Sequence, residues 1–385
     1  VTLPPQDLSC FAVVTPGLEP FAIAEAEALG LKVVAEPGGF AWQGSAESAL
    51  VANVGLRIAS RVLVRLASFE ARSFAELERH ARKIAWARVI APGESVRFRV
   101  TCKKSKLYHS DAVAQRLADA VKRALPGVRA EGASIGEDDT DDALEDAALI
   151  VVRVMRDRCT VSADSSGALL HRRGYRLAST KAPLRETIAA GMLAASGWDA
   201  ALPLVDPLCG SGTIPIEAAL VARGIAPGAQ RTFAMERWPT VDASLREAVR
   251  DRQAGQALQI GRATIAASDR DSGAIAASRE NAQRAGVGDD IAFGIHALSA
   301  AVFPNAPLGW VVTNPPYGVR VGDADRVRDL WAQLGNVLRE RASGWRLAVL
   351  SPDAALDRQL RIPMRAAAAL SNGGIPVRIM VGEIP

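Results

Sequence analysis

Cysteine and histidine are scarce in this sequence and scattered. Cys10, Cys102, Cys159 and Cys209 form no CxxC pair, and His80, His109, His171 and His296 lack the spacing of a metal-binding set. A disulfide framework and a structural zinc are therefore not expected, and no metal is assigned. No apolar run approaches the ~20 residues that span a bilayer. The first residues do not read as a basic segment followed by the apolar core of a signal peptide. The expected setting is the cytoplasm, without a membrane partner. Internal repeats of the solenoid kind are also absent.

What is present is the composition of an ordinary folded protein, with 49% apolar and 23% charged residues in 385. At roughly 150 residues per domain, that length predicts two or three domains. The net charge of +4 and pI of about 9.0 permit a polyanionic partner without requiring one. Distribution says more. Arg97, Arg99, Lys103, Lys104 and Lys106 crowd one segment, and His171, Arg172, Arg173, Arg176, Lys181 and Arg185 crowd another. Phosphate contact is one reading of these clusters and solvated loop surface is the other. The acidic run EDDTDDALED, 137–146, predicts an exposed loop pointing away from nucleic acid.

The first ~65 residues read as a small α+β unit: a strand, a turn at Pro16-Gly17, an Ala/Glu-rich helix stopped by Gly30, then short strands near 31–35 and 61–66. A second α+β unit follows, with a helix over Phe74 to Ala87, the strand SVRFRVTC, the helix SDAVAQRLADAVKRAL and a hairpin through ALIVVRVMRDRCTVSADSS. The basic stretch 171–183 reads as a connection. From Leu184 onward strands alternate with helices, the pattern of a doubly wound parallel sheet. The expected boundaries are 1–66, 67–166 and 167–385.

In such a sheet, ligands gather beyond the carboxyl ends of the strands. DPLCGSGTIP sits at such an end, with Gly210, Ser211 and Gly212 forming a tight turn before a helix whose first turn accommodates Pro215. A dinucleotide and S-adenosylmethionine compete for this turn. Pro215 replaces the third glycine of GxGxxG, and the next acidic strand end, Asp269, comes far later than the ~20 residues a dinucleotide fingerprint expects. Asp206 would suit a cationic ligand bearing an amino group, and Asp269 would accept from ribose hydroxyls. Structural capping is the alternative for either acid.

GWVVTNPPYGVRVG, 309–322, ends a later strand of the same sheet in two prolines, which cannot donate to a ladder. An aromatic amino nitrogen is a poor nucleophile because its lone pair is delocalised. The Asn314 side-chain oxygen and the Pro315 carbonyl could hold its hydrogens and aim the lone pair at a methyl sulfonium, with Pro315 and Pro316 keeping the acceptors rigid. Tyr317 would stack on the extruded base, its ring face mattering more than its hydroxyl.

With DPLCGSGTIPIEAAL and TNPPYG in one sheet, the sequence resembles class I methyltransferases acting on exocyclic amines of nucleic-acid bases. LHRRGYRLASTKAPLRETIAAGML and IAPGAQRTFAMERWP resemble segments flanking the glycine motif in THUMP-containing RNA methyltransferases. Within these, the likeness is to bacterial ribosomal RNA guanine-N2 enzymes and to relatives labelled N6-adenine-specific methylases. KKSKLYHSDAVAQRL resembles the THUMP module, and FAVVTPGLEPFAIAEAEALG resembles the N-terminal ferredoxin-like unit. The resemblance implies a Rossmann-like catalytic domain after ferredoxin-like and THUMP modules. It also implies S-adenosylmethionine as cofactor, with Leu184 and Glu186 lining its pocket, and a structured RNA, ribosomal or transfer, as partner. Lys103, Lys104, Lys106, Arg172 and Arg173 are the candidate RNA contacts. Many relatives carry an Asp where this chain has Ala297, preceded by His296. The product expected is N2-methylguanine in ribosomal RNA, with a transfer RNA guanine-N2 enzyme as an alternative. An N6-adenine methylase of RNA or DNA is the alternative in chemistry, and an RNA-binding protein with an inactive methyltransferase domain the alternative in class.

Overall fold

A computed structural model describes residues 7–135, 147–177, 184–259, 261, 263–317 and 324–385. The acidic run 137–146 lies outside the described residues, as do the latter part of the basic connection and the residues that follow Tyr317. Strands β1 (Leu8–Val14), β2 (Val34–Glu36), β3 (Gly39–Gly44) and β4 (Ala59–Glu70) accompany helices α1 (Glu19–Ala28) and α2 (Ala46–Gly55). Then come α3 (Phe74–Ala81), β5 (Ser95–Lys103), α4 (Ser110–Ala124), β6 (Arg129–Ser134), β7 (Ala147–Met155) and β8 (Arg158–Asp164). The second half runs α5 (Glu186–Ser196), β9 (Leu204–Asp206), α6 (Thr213–Ala222), α7 (Ala243–Ala254), β10 (Ile265–Asp269), α8 (Ser272–Arg284), β11 (Ile291–Ile295) and β12 (Trp310–Thr313). It closes with α9 (Ala324–Arg341), β13 (Arg346–Ser351), α10 (Ala354–Leu360), β14 (Met364–Asn372) and β15 (Ile375–Glu383).

The chain forms two compact units, each discontinuous in sequence. One gathers 1–13, 26–170 and 231–252; the other gathers 14–25, 171–230 and 253–385. In the first, a single sheet of order β2-β3-β1-β4-β8-β7-β5-β6 runs through both segments that read as separate α+β units. The join is the antiparallel pairing of β4 with β8 over Leu63↔Asp164 to Glu70↔Arg158. β4, at 12 residues, is twice as long as the short strand expected and lies between β1 and β8 in the sheet. The helix expected to reach Ala87 stops at Ala81, where the Trp86 indole turns back and donates to the Ala81 carbonyl at 3.1 Å. Its start is as written in the sequence, with the Ser73 hydroxyl accepting from Glu76 N at 3.3 Å and Glu76 accepting from Arg72 N at 2.7 Å.

The second unit holds a sheet of order β11-β10-β9-β12-β13-β15-β14, in which β11 to β13 are parallel and only β15 runs against its neighbours. The order reverses between β9 and β12, as a doubly wound sheet requires, and the strand ends there form the ligand edge. Val205, Val311, Leu347 and Val349 are buried with Trp331 and Leu334 of α9 in one core cluster. Among the described residues, no helix is long and apolar enough to cross a membrane.

In α9, Gly335 faces the Leu360 backbone carbonyl so closely that any Cβ would collide with it. Gly335→Ala should therefore cost about 1 to 3 kcal/mol through overpacking against α10. Urea unfolding measures this, and an unchanged midpoint would contradict the close approach.

Candidate active site

β9 carries Asp206 to the ligand edge, where its carboxylate is buried, with 1% of the residue exposed. One oxygen, Oδ1, accepts from the Thr313 hydroxyl at 2.7 Å and from Leu208 N at 3.2 Å. Burial pushes the carboxyl up to about 7; these hydrogen bonds oppose the shift and the charge of Asp269 adds to it. A carboxyl held this way gains most from a cationic neighbour, which restores its ionised form.

The turn that follows needs its glycines. Gly210 has φ 54° and Gly212 has φ 83°, the left-handed region where side chains are strained. At Gly212 a Cβ would also sit 3.0 Å from that of Ser278, whereas none of the atoms described lies within 4 Å of one at Gly210. α8 secures the turn from behind: the Ser278 hydroxyl donates to the Gly210 carbonyl at 2.7 Å and Asn281 Nδ2 to the Ser211 carbonyl at 3.2 Å. Asp269 closes the other side, with Oδ2 accepting from Gly210 N at 3.1 Å and Oδ1 from Asp271 N at 3.0 Å. Each of its oxygens keeps a lone pair for a ligand hydroxyl. Half-buried His296 follows β11, and its backbone N–H donates to the Asp269 carbonyl at 3.0 Å; Ala297 beside it is exposed.

Leu184 and Glu186 are joined to the same turn by a residue that sequence reading left among the loop charges. Arg176 donates through Nε to Glu186 at 2.8 Å, and through Nη2 to the Leu184 carbonyl at 2.8 Å and the Thr213 hydroxyl at 2.7 Å. Burial pushes the Glu186 carboxyl up and Arg176 pulls it down. Arg173 corrects an expectation. Its guanidinium is buried against Glu217 of α6 at 3.4 Å, and Tyr175 donates to the same carboxylate at 3.1 Å. Paired inside the unit, it cannot meet a phosphate at the surface and is no RNA contact. Arg172 is half-buried.

β12 ends at Thr313, so Asn314 enters the edge one residue after the hydroxyl that bonds Asp206. Asn314 Oδ1 is buried and has no hydrogen-bond partner among the described residues. Pro315 is buried and Pro316 exposed; the Pro316 carbonyl accepts from the Trp331 indole at 3.0 Å, which fixes the segment to α9. Tyr317 is half-buried on the core cluster, and its hydroxyl accepts from Asn372 Nδ2 at 2.8 Å.

In the first unit Lys103, Lys104 and Lys106 are all exposed, Lys104 with φ 52°. Their loop is tied to the β7–β8 turn: Lys106 N donates to Asp157 at 2.8 Å, and Asp157 N to the Ser105 hydroxyl at 3.0 Å. Arg97 of the same sequence cluster instead pairs with Glu131 at 2.6 Å. Among the described residues, no group of His, Cys, Asp and Glu is arranged to hold a metal ion.

A family model described as an RMKL-like methyltransferase domain matches residues 173–378, more than half of the chain. The chain belongs to this family. Ahead of the RMKL-like domain, an RlmL ferredoxin-like domain matches 9–63 and a THUMP domain 71–164, so the two expected modules precede a class I methyltransferase fold. A Synechocystis protein provisionally named an RNA methyltransferase is 34% identical over 97% of this chain and 96% of its own length. The ribosomal RNA large subunit methyltransferase K/L of Syntrophotalea carbinolica is 36% identical over 97% of this chain, which spans about half (53%) of that protein. Among solved structures, a possible methylase from Clostridium difficile superposes with a TM-score of 0.85 at 31% identity, covering 99% of both chains. A protein provisionally named a methyltransferase, solved with S-adenosylhomocysteine, gives 0.84 at 28% identity, again with 99% of each chain covered.

In this family member, the buried Asp206 makes a pH prediction whose sign is fixed. Its folded value of about 7 lies above the ~4 of an unfolded aspartate, so the folded chain holds an extra proton between them. Stability is therefore lost as pH rises through that window, by an amount on the order of a few kcal/mol above it. Asp206→Asn, which keeps the acceptor for Thr313, should raise the ligand-free melting temperature at pH 8 and change it little at pH 4.5. Equal shifts at both pH values would show that Asp206 is not a buried, proton-hungry carboxyl.

Proposed function

We propose that this chain transfers the methyl group of S-adenosylmethionine to the exocyclic N2 amine of a guanine in ribosomal RNA. The observation that carries the reading is Asn314 Oδ1 at the ligand edge, buried and without a partner among the described residues. A buried acceptor without a donor costs roughly 1 to 3 kcal/mol, a penalty that a donor-bearing ligand removes. An amino group of a base is such a donor. One hydrogen goes to Asn314 Oδ1 and the other to the Pro315 carbonyl, leaving the nitrogen lone pair directed outward from both. The rigid prolines and the Trp331 bond to Pro316 hold this geometry, so positioning supplies most of the acceleration.

The donor set fits the cofactor. Asp206 offers a carboxyl that a cation ionises, Gly210 leaves open space at the turn, and Asp269 presents free lone pairs for ribose hydroxyls. Leu184, Glu186, Ser211 and Gly212 shape the pocket around them. When bound, the cofactor supplies an electrophilic methyl group on a sulfonium. The chain's part is to bring the amine into line, keep its hydrogens engaged and exclude water; the amine proton leaves after attack, so no buried base is needed.

RNA is the substrate class that the THUMP module and the ribosomal relatives support. Lys103, Lys104, Lys106 and Arg172 are the proposed phosphate contacts. A second reading, N6 methylation of adenine, is favoured by a neighbour at TM-score 0.83 and 28% identity described as a predicted N6-adenine-specific DNA methylase from Listeria monocytogenes, over 97% of this chain and 96% of that one. The acceptor pair at Asn314 and Pro315 serves either amine.

Asn314→Ala tests the chemistry. With both ligands saturating, its single-turnover rate should fall about a hundredfold or more, the scale of removing one preorganised polar group from a reacting centre. Affinity for either ligand should change far less, because the benefit appears in the transition state. A folded variant at wild-type rate would defeat the mechanism. For the RNA contacts, neutralising Lys103, Lys104 and Lys106 should weaken RNA binding and flatten its salt dependence. The log-log slope should fall by roughly 0.7 to 0.9 for each phosphate that is no longer neutralised. An unaltered slope would make these charges solvated surface only.

A further inference from the structure

The last hairpin of the second unit brings a side chain to the ligand edge that no motif announces. β13 runs parallel to β12, β15 runs against β13, and β14 runs against β15. β14 therefore points the same way as β12, and its final residue, Asn372, reaches the edge where β12 delivers Asn314. The turn that follows is as short as a hairpin allows. Gly373 and Gly374, at φ 57° and 83°, join Asn372 directly to its partner Ile375. Two consecutive positive φ values are those of a type I′ turn, which matches the strand twist and leaves little play. Asn372 is thus held by sheet pairing on one side and a rigid turn on the other.

From there its amide Nδ2 donates to the Tyr317 hydroxyl at 2.8 Å. The ring of Tyr317 is half-buried against the core cluster, so its base is seated on apolar side chains and its tip is tied to Asn372. A ring fixed at both ends has lost the torsional freedom about its side-chain bonds before any ligand arrives. For a platform on which a base must lie in one plane, that ordering cost is met in advance.

We propose that Asn372 is a positioning residue for methyl transfer: through the Tyr317 hydroxyl it sets the plane of the ring against which the target base lies. This inference rests on the reading above that Tyr317 stacks on the base, and it gives the hydroxyl more weight than the expectation that the ring face matters more. The hydroxyl matters because it is the handle by which the hairpin holds the ring.

The test is a double-mutant cycle on the full chain with Asn372→Ala and Tyr317→Phe. Folding is checked by thermal melting, and Asn314→Ala is run alongside. Each single variant should slow single-turnover methylation about tenfold at saturating ligands, the weight of one well-placed hydrogen bond. The double variant should be no slower than either, and S-adenosylmethionine affinity should not move. Asn372→Asp, which accepts from the hydroxyl instead of donating to it, should recover most of the rate. A readout free of RNA uses the three tyrosines of the chain: with 13C-labelled tyrosine, Asn372→Ala should shift the Tyr317 Cζ resonance and leave Tyr108 in place. Wild-type rate in folded Asn372→Ala, additive losses in the double variant, or an unmoved Tyr317 resonance would each overturn the inference. If Asn314→Ala is dead while Asn372→Ala is unimpaired, the positioning role falls and the methyltransferase reading stands; if Asn314→Ala is unimpaired, that reading falls as well.

Discussion

One buried hydrogen bond holds the two halves of the site in register. The Thr313 hydroxyl donates to Asp206 at 2.7 Å across neighbouring strands, and both side chains are sealed from water. Asp206 opens the glycine turn and Thr313 directly precedes Asn314, so in the proposed mechanism this bond fixes where the cofactor side lies relative to the acceptor for the amine. In a low-dielectric interior such a bond is strong, and its loss leaves the buried acid with the Leu208 N–H alone, so the arrangement has little tolerance for drift. The parallel pairing of β9 with β10 and β12 supplies the frame, and the hydrogen bond joins the two side chains across it.

Two further pins surround it. Arg176 gathers Glu186, Leu184 and Thr213 onto the start of α6, and Asn372 ties Tyr317 to the terminal hairpin. Arg176 reaches Thr213 from 37 residues away, and Asn372 reaches Tyr317 from 55. Each does for the start of α6 or for an aromatic ring what Thr313 does for the strands. What remains unsatisfied among the described side chains at this edge is Asn314 Oδ1, the acceptor that the proposed mechanism assigns to the amine.

The parts of this design that sequence could show are those written locally. Strand, glycine turn and helix lie consecutively around Gly210, and two prolines after Asn314 announce a strand end whatever the neighbours are. The fold class followed from those alternating segments. What could not be read is non-local pairing. β4 and β8 are about a hundred residues apart, so the fusion of two modules into one sheet left no local mark. Arg173 and Arg176 sit in one basic run and look alike, yet one is buried under Glu217 and the other clasps the glycine turn; only the tertiary carboxylates distinguish them. β14 is rich in alanine, a helix former, and is a strand because it completes the sheet beside β15. Asn372 was hidden with it.

The most direct test of the account is the identity of the methylated nucleoside. The purified chain is incubated with labelled S-adenosylmethionine and large-subunit ribosomal RNA from cells lacking the protein, and the RNA is digested to nucleosides and resolved by mass spectrometry. The account predicts label in N2-methylguanosine. Label in N6-methyladenosine would overturn the assignment of the base while keeping the acceptor geometry, and an RNA left unlabelled by a folded, cofactor-binding protein would contradict the account as a whole.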